Sequence, residues 1–226
     1  NEKVYLDLRH LGLEKIKELM PQERNLAYEY SNIKIEDELL PITPAAHYSM
    51  GGIKTDIDGK TNIKNLYACG ECAQANIHGA NRLGGNSLLE IVVFGKIAGI
   101  NASNMAKEVS PNCSGSQQLI KDKNLISKIY NYPNKIDFYE KKELLGQLLF
   151  KNLGLFRSDS EMQNLLNTLN DLLNNIENMG IGDKSIKYNK NLIEFIEFRN
   201  MLKVSLLVTI SAISRVESRG SHFRLD

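Results

Sequence analysis

Cysteine is scarce in this chain. Three occur in 226 residues, Cys69, Cys72 and Cys113, and an odd, low number does not build a disulfide framework but is usual in a reducing compartment. The spacing Cys69-Gly70-Glu71-Cys72 invites a zinc or dithiol reading. There is no second CxxC and no histidine pair at finger spacing, and the pair closes an apolar run instead of opening a helix, so the bland reading is preferred. An excess of one charge is also missing. With 28 Lys+Arg against 27 Asp+Glu the net charge is +1, and no strong field favours nucleic acid, a membrane surface or an acidic partner. No apolar run is long enough to span a bilayer. The N-terminal NEKVYLDLRHL lacks an initiator methionine and a signal-peptide pattern, and its abrupt start on a strand-like stretch suggests a fragment. GxGxxG and P-loop signatures, a Ser/His/Asp order and paired catalytic carboxylates are all missing, so dinucleotide phosphate binding is not encoded here.

What the chain contains is ordinary in bulk and unusual in one place. Hydrophobic residues make up 42% and charged residues 24%, the balance of a soluble globular protein. The length suits one large domain or two small ones. The unusual place is residues 66–90, LYACGECAQANIHGANRLGGNSLLE. A strand-like run at 66–69 meets Gly70 and Glu71, and a loop then carries His78, Asn81 and Arg82. Gly84-Gly85 lead into Asn86-Ser87-Leu88 and a long apolar helix. Strand, glycine-rich loop and helix N-terminus in succession gather backbone N–H groups at the positive end of a helix dipole, which suits an anionic or electron-rich ligand. Asn86 and Ser87 are good caps for that helix.

Along the chain, residues 4–8 alternate as a short strand and 13–30 carry apolar residues at helical spacing; 33–40 are ambiguous. Pro41 and Pro44 force extended backbone, so His47 is presented on a rigid segment. Asp58-Gly59 is a hairpin-turn signal, which pairs 52–56 with 61–63, followed by the 66–69 strand. Residues 87–107 read as one helix with small residues (Gly95, Ala98, Gly99, Ala102) along one side, able to lie close against a sheet. The stretch 110–118, SPNCSGSQQ, is a linker without periodicity. Beyond it the chain is helical in period, with helices expected at about 138–150, 160–179 and 191–218. Gly180 ends the second, and Asn189 or Asn191 begins the third. In the third, Leu192, Phe195, Ile196, Phe198, Leu202, Leu206 and Ile210 fall near one broad face. A small antiparallel bundle fits these segments.

Among the side chains able to carry chemistry, His10 suits a turn, and His222, in a polar tail with Arg219 and Arg224, suits a hydrogen-bonded packing network. His47 and His78 lie among Pro, Gly, Asn and Arg, with little else to explain them. Arg82 is more telling, because its planar fork of donors matches a carboxylate bidentately. The residues alone lead to an anion or polarised-carbonyl site at a sheet edge. They leave open that Arg82 merely pairs with Glu71 or Glu90.

Four ordered motifs, PAAHYSMGG, LYACGE, HGANRLGGNSLLE with VVFGK following, and ESRGSHFRLD, resemble the flavoprotein subunit of succinate dehydrogenase and fumarate reductase, a superfamily shared with L-aspartate oxidase. The resemblance covers nearly the whole chain. It implies an α+β fold: returning strands and a helix of a discontinuous FAD-binding domain, followed by a helical-bundle domain. Residues 1–42 would end a capping domain, 43–107 would be the returning FAD segment, 108–114 a linker and 115–226 the helical domain. The resemblance makes His47 a donor to a substrate carboxylate and, with Tyr48, a neighbour of the flavin. Glu71 would bind the FAD ribose, and Arg82 would clamp a substrate carboxylate beside the ring. Asn86, Ser87 and Leu88, at the helix N-terminus, would meet the isoalloxazine. A helix dipole there favours the negative charge of a reduced flavin by about 0.3–2 kcal/mol. Gly85 departs from relatives that carry Ser or Ala.

The implied reaction interconverts succinate and fumarate by hydride transfer at flavin N5, with the proton-transferring arginine expected upstream and not in this chain. The implied partners are the dicarboxylate, an iron–sulfur subunit and a membrane-anchor subunit that pass electrons to quinone, with no nucleic acid. The parent would sit peripherally on the cytoplasmic face of a bacterial inner membrane. No metal ligand is expected in this chain. PAAHY and the SLLE and FRNM runs also suit L-aspartate oxidase, and the isolated chain is expected to be a non-catalytic folded piece.

Overall fold

A computed structural model describes residues 4–43, 45, 47–109 and 115–226. Pro44, Cys113 and most of the expected linker lie outside the described residues. The chain divides into two compact units, Asn1–His47 and Tyr48–Asp226.

The first unit pairs β1 (Val4–Leu6) antiparallel with β2 (Leu40–Ile42) around two helices, α1 (Gly12–Leu19) and α2 (Pro21–Ser31). One helix over 13–30 was expected; two form. Pro21 lacks an N–H and disfavours helical backbone in the residue before it, and Met20 accordingly sits at φ −138°. Leu8, Ile16, Ala27 and Ile35 make a small core, and Arg24 Nε donates to Glu36 at 3.0 Å.

The second unit opens with β3 (Ile53–Lys54), which pairs in parallel with β4 (Ala73–Gln74). The turn at Asp58-Gly59 forms, with Asp56 Oδ1 accepting from the backbone of Asp58 and Lys60, but the expected pairing of 52–56 with 61–63 does not, because β3 bonds to β4 instead. The expected strand at 66–69 does not form. It is reduced to one antiparallel bridge between Tyr67 and Lys60, because the partner for β3 comes from the next segment.

Helix α3 (Asn86–Glu108) follows. Of its small residues, Ala98 makes the close approach: a Cβ on Gly59 would lie 2.7 Å from that of Ala98. Gly95 and Gly99 face open space. By length and composition α3 could cross a membrane. Glu90 and Lys96 interrupt its apolar run.

The helical part comprises α4 (Gly115–Asn131), α5 (Phe138–Asn152), α6 (Asp159–Asn174) and α7 (Lys190–Ser214). Strands β5 (Phe156–Arg157) and β6 (Phe223–Arg224) pair in parallel and tie the tail back. Asp137, Ser158 and Asn189 cap the last three helices through side chains that accept from backbone N–H groups. The expected 160–179 helix stops at Asn174 and gives way to a tight turn at Ile176–Asn178. Along α7 the buried positions are Phe195, Phe198, Leu202, Ser205, Thr209 and Ala212, alternating by three and four. Ile210, expected on this face, is exposed; Thr209 turns inward instead, donating its hydroxyl to the Ser205 carbonyl at 2.7 Å. Phe138, Leu145, Met162, Leu165, Leu169, Phe195 and Phe198 join in one core.

Candidate active site

The site is built where the loop after β4 turns into α3, in the unit Tyr48–Asp226. Gly85 caps α3 at φ +81°, a left-handed conformation natural to glycine, and no side chain bonds the free N–H groups of the first turn. The expected capping by Asn86 and Ser87 is therefore corrected. Both already lie inside the first turn, from which a short side chain does not fold back onto the N–H groups ahead of it.

One turn into α3, Glu90 is 2% exposed. Its Oε2 accepts from the Tyr48 hydroxyl and lies 2.7 Å from His78 Nε2. A carboxylate can only accept, so the His78 proton on this side sits on Nε2. The Tyr48 and His78 rings meet edge to face, with centroids 5.1 Å apart. Burial first, and then the Glu90 hydrogen bond, push the Tyr48 hydroxyl up to about 12, which keeps it a donor at neutral pH. A cavity of about 40 Å³ opens beside these groups, lined by Ser49, Gln74, His78 and Glu90 among others.

Arg82 lies with its guanidinium carbon 4.8 Å from the Tyr48 ring centroid, a cation–π arrangement. It donates from one terminal nitrogen to the Leu83 carbonyl at 3.0 Å. Its Nε is buried without a partner, and so is His78 Nδ1. Neither Glu71 nor Glu90 pairs with Arg82. Glu71 accepts from the Ser49 N–H at 2.9 Å, and Glu90 is taken by Tyr48 and His78. The alternative in which Arg82 only pins the loop through a carboxylate is thereby overturned. Among the described residues Arg82 forms no ion pair.

The structure thus gathers Tyr48, His78, Arg82 and the start of α3, with Ser49 and Glu71 beside them. Leu88 is exposed. His47 belongs to the first unit, where it is exposed. Cys72 donates its thiol to the Cys69 carbonyl at 3.4 Å. Glu90 as a shared acceptor was not foreseen. The signal for it was a lone acid in an otherwise apolar helix face, since a buried charge needs a reason.

His222 does join a packing network. It is 7% exposed, donates from Nε2 to the Arg215 carbonyl at 2.9 Å and accepts at Nδ1 from Arg157 at 2.8 Å. Burial, reinforced by the surrounding arginines, holds its pKa below the usual histidine range.

Comparison with known proteins adds an independent line. Residues 1–88 match the family model described as FAD binding domain, and residues 142–226 match fumarate reductase flavoprotein C-term. The chain is 40% identical over 225 residues to the fumarate reductase flavoprotein subunit of a Serratia species, covering 99% of this chain and 38% of that protein. It is 35% identical over 237 residues to the succinate dehydrogenase flavoprotein subunit of Coxiella burnetii, covering 99% and 40%. Among solved structures, a variant of E. coli quinol fumarate reductase superposes with a TM-score of 0.94 at 37% identity, covering 99% of this chain and 39% of that one. The Mycobacterium smegmatis Sdh1 complex in the apo form gives 0.83 at 31% identity, covering 98% and 38%. The chain therefore spans about two fifths of the length of the relatives it matches.

Proposed function

We propose that this chain, which belongs to the flavoprotein family of succinate dehydrogenase and fumarate reductase and corresponds to its C-terminal portion, supplies the carboxylate-clamping wall of a site that interconverts succinate and fumarate. The observation that carries this reading is Arg82: a guanidinium seated over Tyr48, with a buried unpartnered Nε and no ion pair among the described residues. Such a planar fork matches a carboxylate in two parallel hydrogen bonds.

The residues present also fit FAD. The first turn of α3 offers N–H groups that no side chain caps, suited to an electron-rich ring edge at Asn86, Ser87 and Leu88. Glu71 offers an exposed carboxylate suited to ribose hydroxyls. FAD, when bound, supplies the hydride chemistry. This chain's residues bind and orient the dicarboxylate beside it, and the proton-transferring arginine lies outside the chain.

In this reading residues 1–42 close a capping domain, 43–107 return to the FAD domain and 115–226 form the helical domain. Helix α3 is a core helix of the parent flavoprotein, since a bilayer span would strand the carboxylate that Glu90 buries near its start. Iron–sulfur and membrane-anchor subunits would carry electrons to quinone, a route supported by relatives titled as quinol enzymes. Succinate–fumarate chemistry is preferred to L-aspartate oxidation because the relatives compared are fumarate reductases and succinate dehydrogenases.

The test is Arg82→Ala in the full-length protein. Succinate-dependent dye reduction is expected to vanish while FAD stays bound, and unchanged turnover would refute the role. Turnover of L-aspartate without succinate oxidation by the unaltered protein would refute the substrate class.

A further inference from the structure

We propose that Glu90 is a positioning residue for Arg82: by holding the Tyr48 hydroxyl and His78 Nε2 on one carboxylate oxygen, it fixes the Tyr48 ring as the platform over which the guanidinium sits. The inference rests on the proposed role of Arg82 and deepens it. Tyr48 and Arg82 are far apart in sequence and come from different segments, so nothing local sets the 4.8 Å between ring and guanidinium. The Tyr48 ring can turn about its side-chain bonds unless its far end is held. Glu90 holds that end, and Glu90 is itself fixed, 2% exposed on a helix.

His78 is the second anchor. Its 2.7 Å contact to Glu90 ties the start of the loop 78–85 to the same helical turn, and its ring packs edge-on against Tyr48. Both ends of the Arg82 loop are then tied to α3, at the helix start and at Glu90. The orientation of the arginine is set before a ligand arrives, and pre-organisation of this kind lowers the cost of binding. The arrangement also explains why an acid is placed in an apolar helix without forming an ion pair to the nearby arginine. Pairing Arg82 with Glu90 would fill the donors that a substrate carboxylate needs.

Both donors meet one carboxylate oxygen; the amide oxygen of Gln keeps two lone pairs but loses the charge, so both hydrogen bonds that hold the Tyr48 ring weaken. In the full-length, FAD-loaded flavoprotein, Glu90→Gln is expected to raise KM for succinate about tenfold, the scale of losing one well-placed charge–ring contact. Most of the loss should fall on KM, because the arginine is still present but clamps ground and transition states less well alike. FAD content should hold. Tyr48→Phe removes the same anchor from the other side, and the KM effect of Glu90→Gln should shrink in that background, as expected of residues sharing one interaction. An unmoved KM in Glu90→Gln, or full additivity of the two substitutions, overturns the inference. Where Glu90→Gln does not load FAD, Tyr48→Phe decides alone: a raised KM supports the platform and an unchanged KM overturns it. Arg82→Lys separates the two levels. If it leaves KM untouched, the reading of the site itself fails; if it raises KM while Glu90→Gln does not, only the positioning role fails.

Discussion

The helical part and the site-bearing part of the second unit are held by opposite means. Helices α5, α6 and α7 bury Leu145, Met162, Leu165, Leu169, Phe195, Phe198 and Leu202 completely or nearly so. In residues 48–109 the buried apolar side chains are three alanines, Ala68, Ala73 and Ala98. That region gathers instead around Glu90, while Leu88, Leu89 and Val92 on α3 stay two-thirds exposed. Apolar burial is the main stabilising term in folding, so the helical part completes its own core and the site region does not. A site that must admit a charged ligand is built from polar contacts and aromatic edges, and it borrows rigidity from its surroundings.

The largest expected effect is in the core. Leu165→Ala or Phe198→Ala should destabilise the chain by about 3–5 kcal/mol in denaturant unfolding, whereas Leu88→Ala should stay within about 0.5 kcal/mol. Equal costs would break the contrast. Next is the cap of α7. Asn189 accepts from the Leu192 N–H and donates to the carbonyls of Asp183 and Ser185, so Asn189→Ala should cost about 2 kcal/mol. Gly85→Ala meets open space but places a Cβ at φ +81°, and about 1–2 kcal/mol of backbone strain is expected. A thermal melt that does not move would show that the α3 start relaxes freely.

The smallest effect is a pH dependence. His222 is held neutral by burial and by Arg157, so its folded pKa lies below its unfolded one, near 6.5. The unfolded chain then binds more protons as pH falls through 6.5, and the stability it contributes is present above that pH and lost below it. His222→Gln should flatten this slope; an unchanged slope would assign it to other groups.

The same contrast governs what was legible in the sequence. Helices α5 and α7 announce themselves by repeated apolar spacing, and Asn189 marks a start. Helix α4 was not foreseen because its first turn, Gly115-Ser116-Gln117-Gln118, has the composition of the linker expected over 110–118, and it buries one residue fully, Ile129. The β3–β4 pair joins two residues to two others some twenty positions away, and two residues carry no period. Arg82 stood out by its loop of small neighbours. Glu90 did not, because its partners Tyr48 and His78 are set by tertiary placement. Thr209 displaced Ile210 from the core because a helical hydroxyl can satisfy itself on the preceding turn.

Native-state hydrogen exchange on the 226-residue chain tests the contrast most directly. Amides of Leu165, Leu169, Phe198 and Leu202 should exchange only through global unfolding, and those of α3 between Val92 and Ala98 through a much cheaper local opening. Equal protection in α3 and α7 would contradict the account.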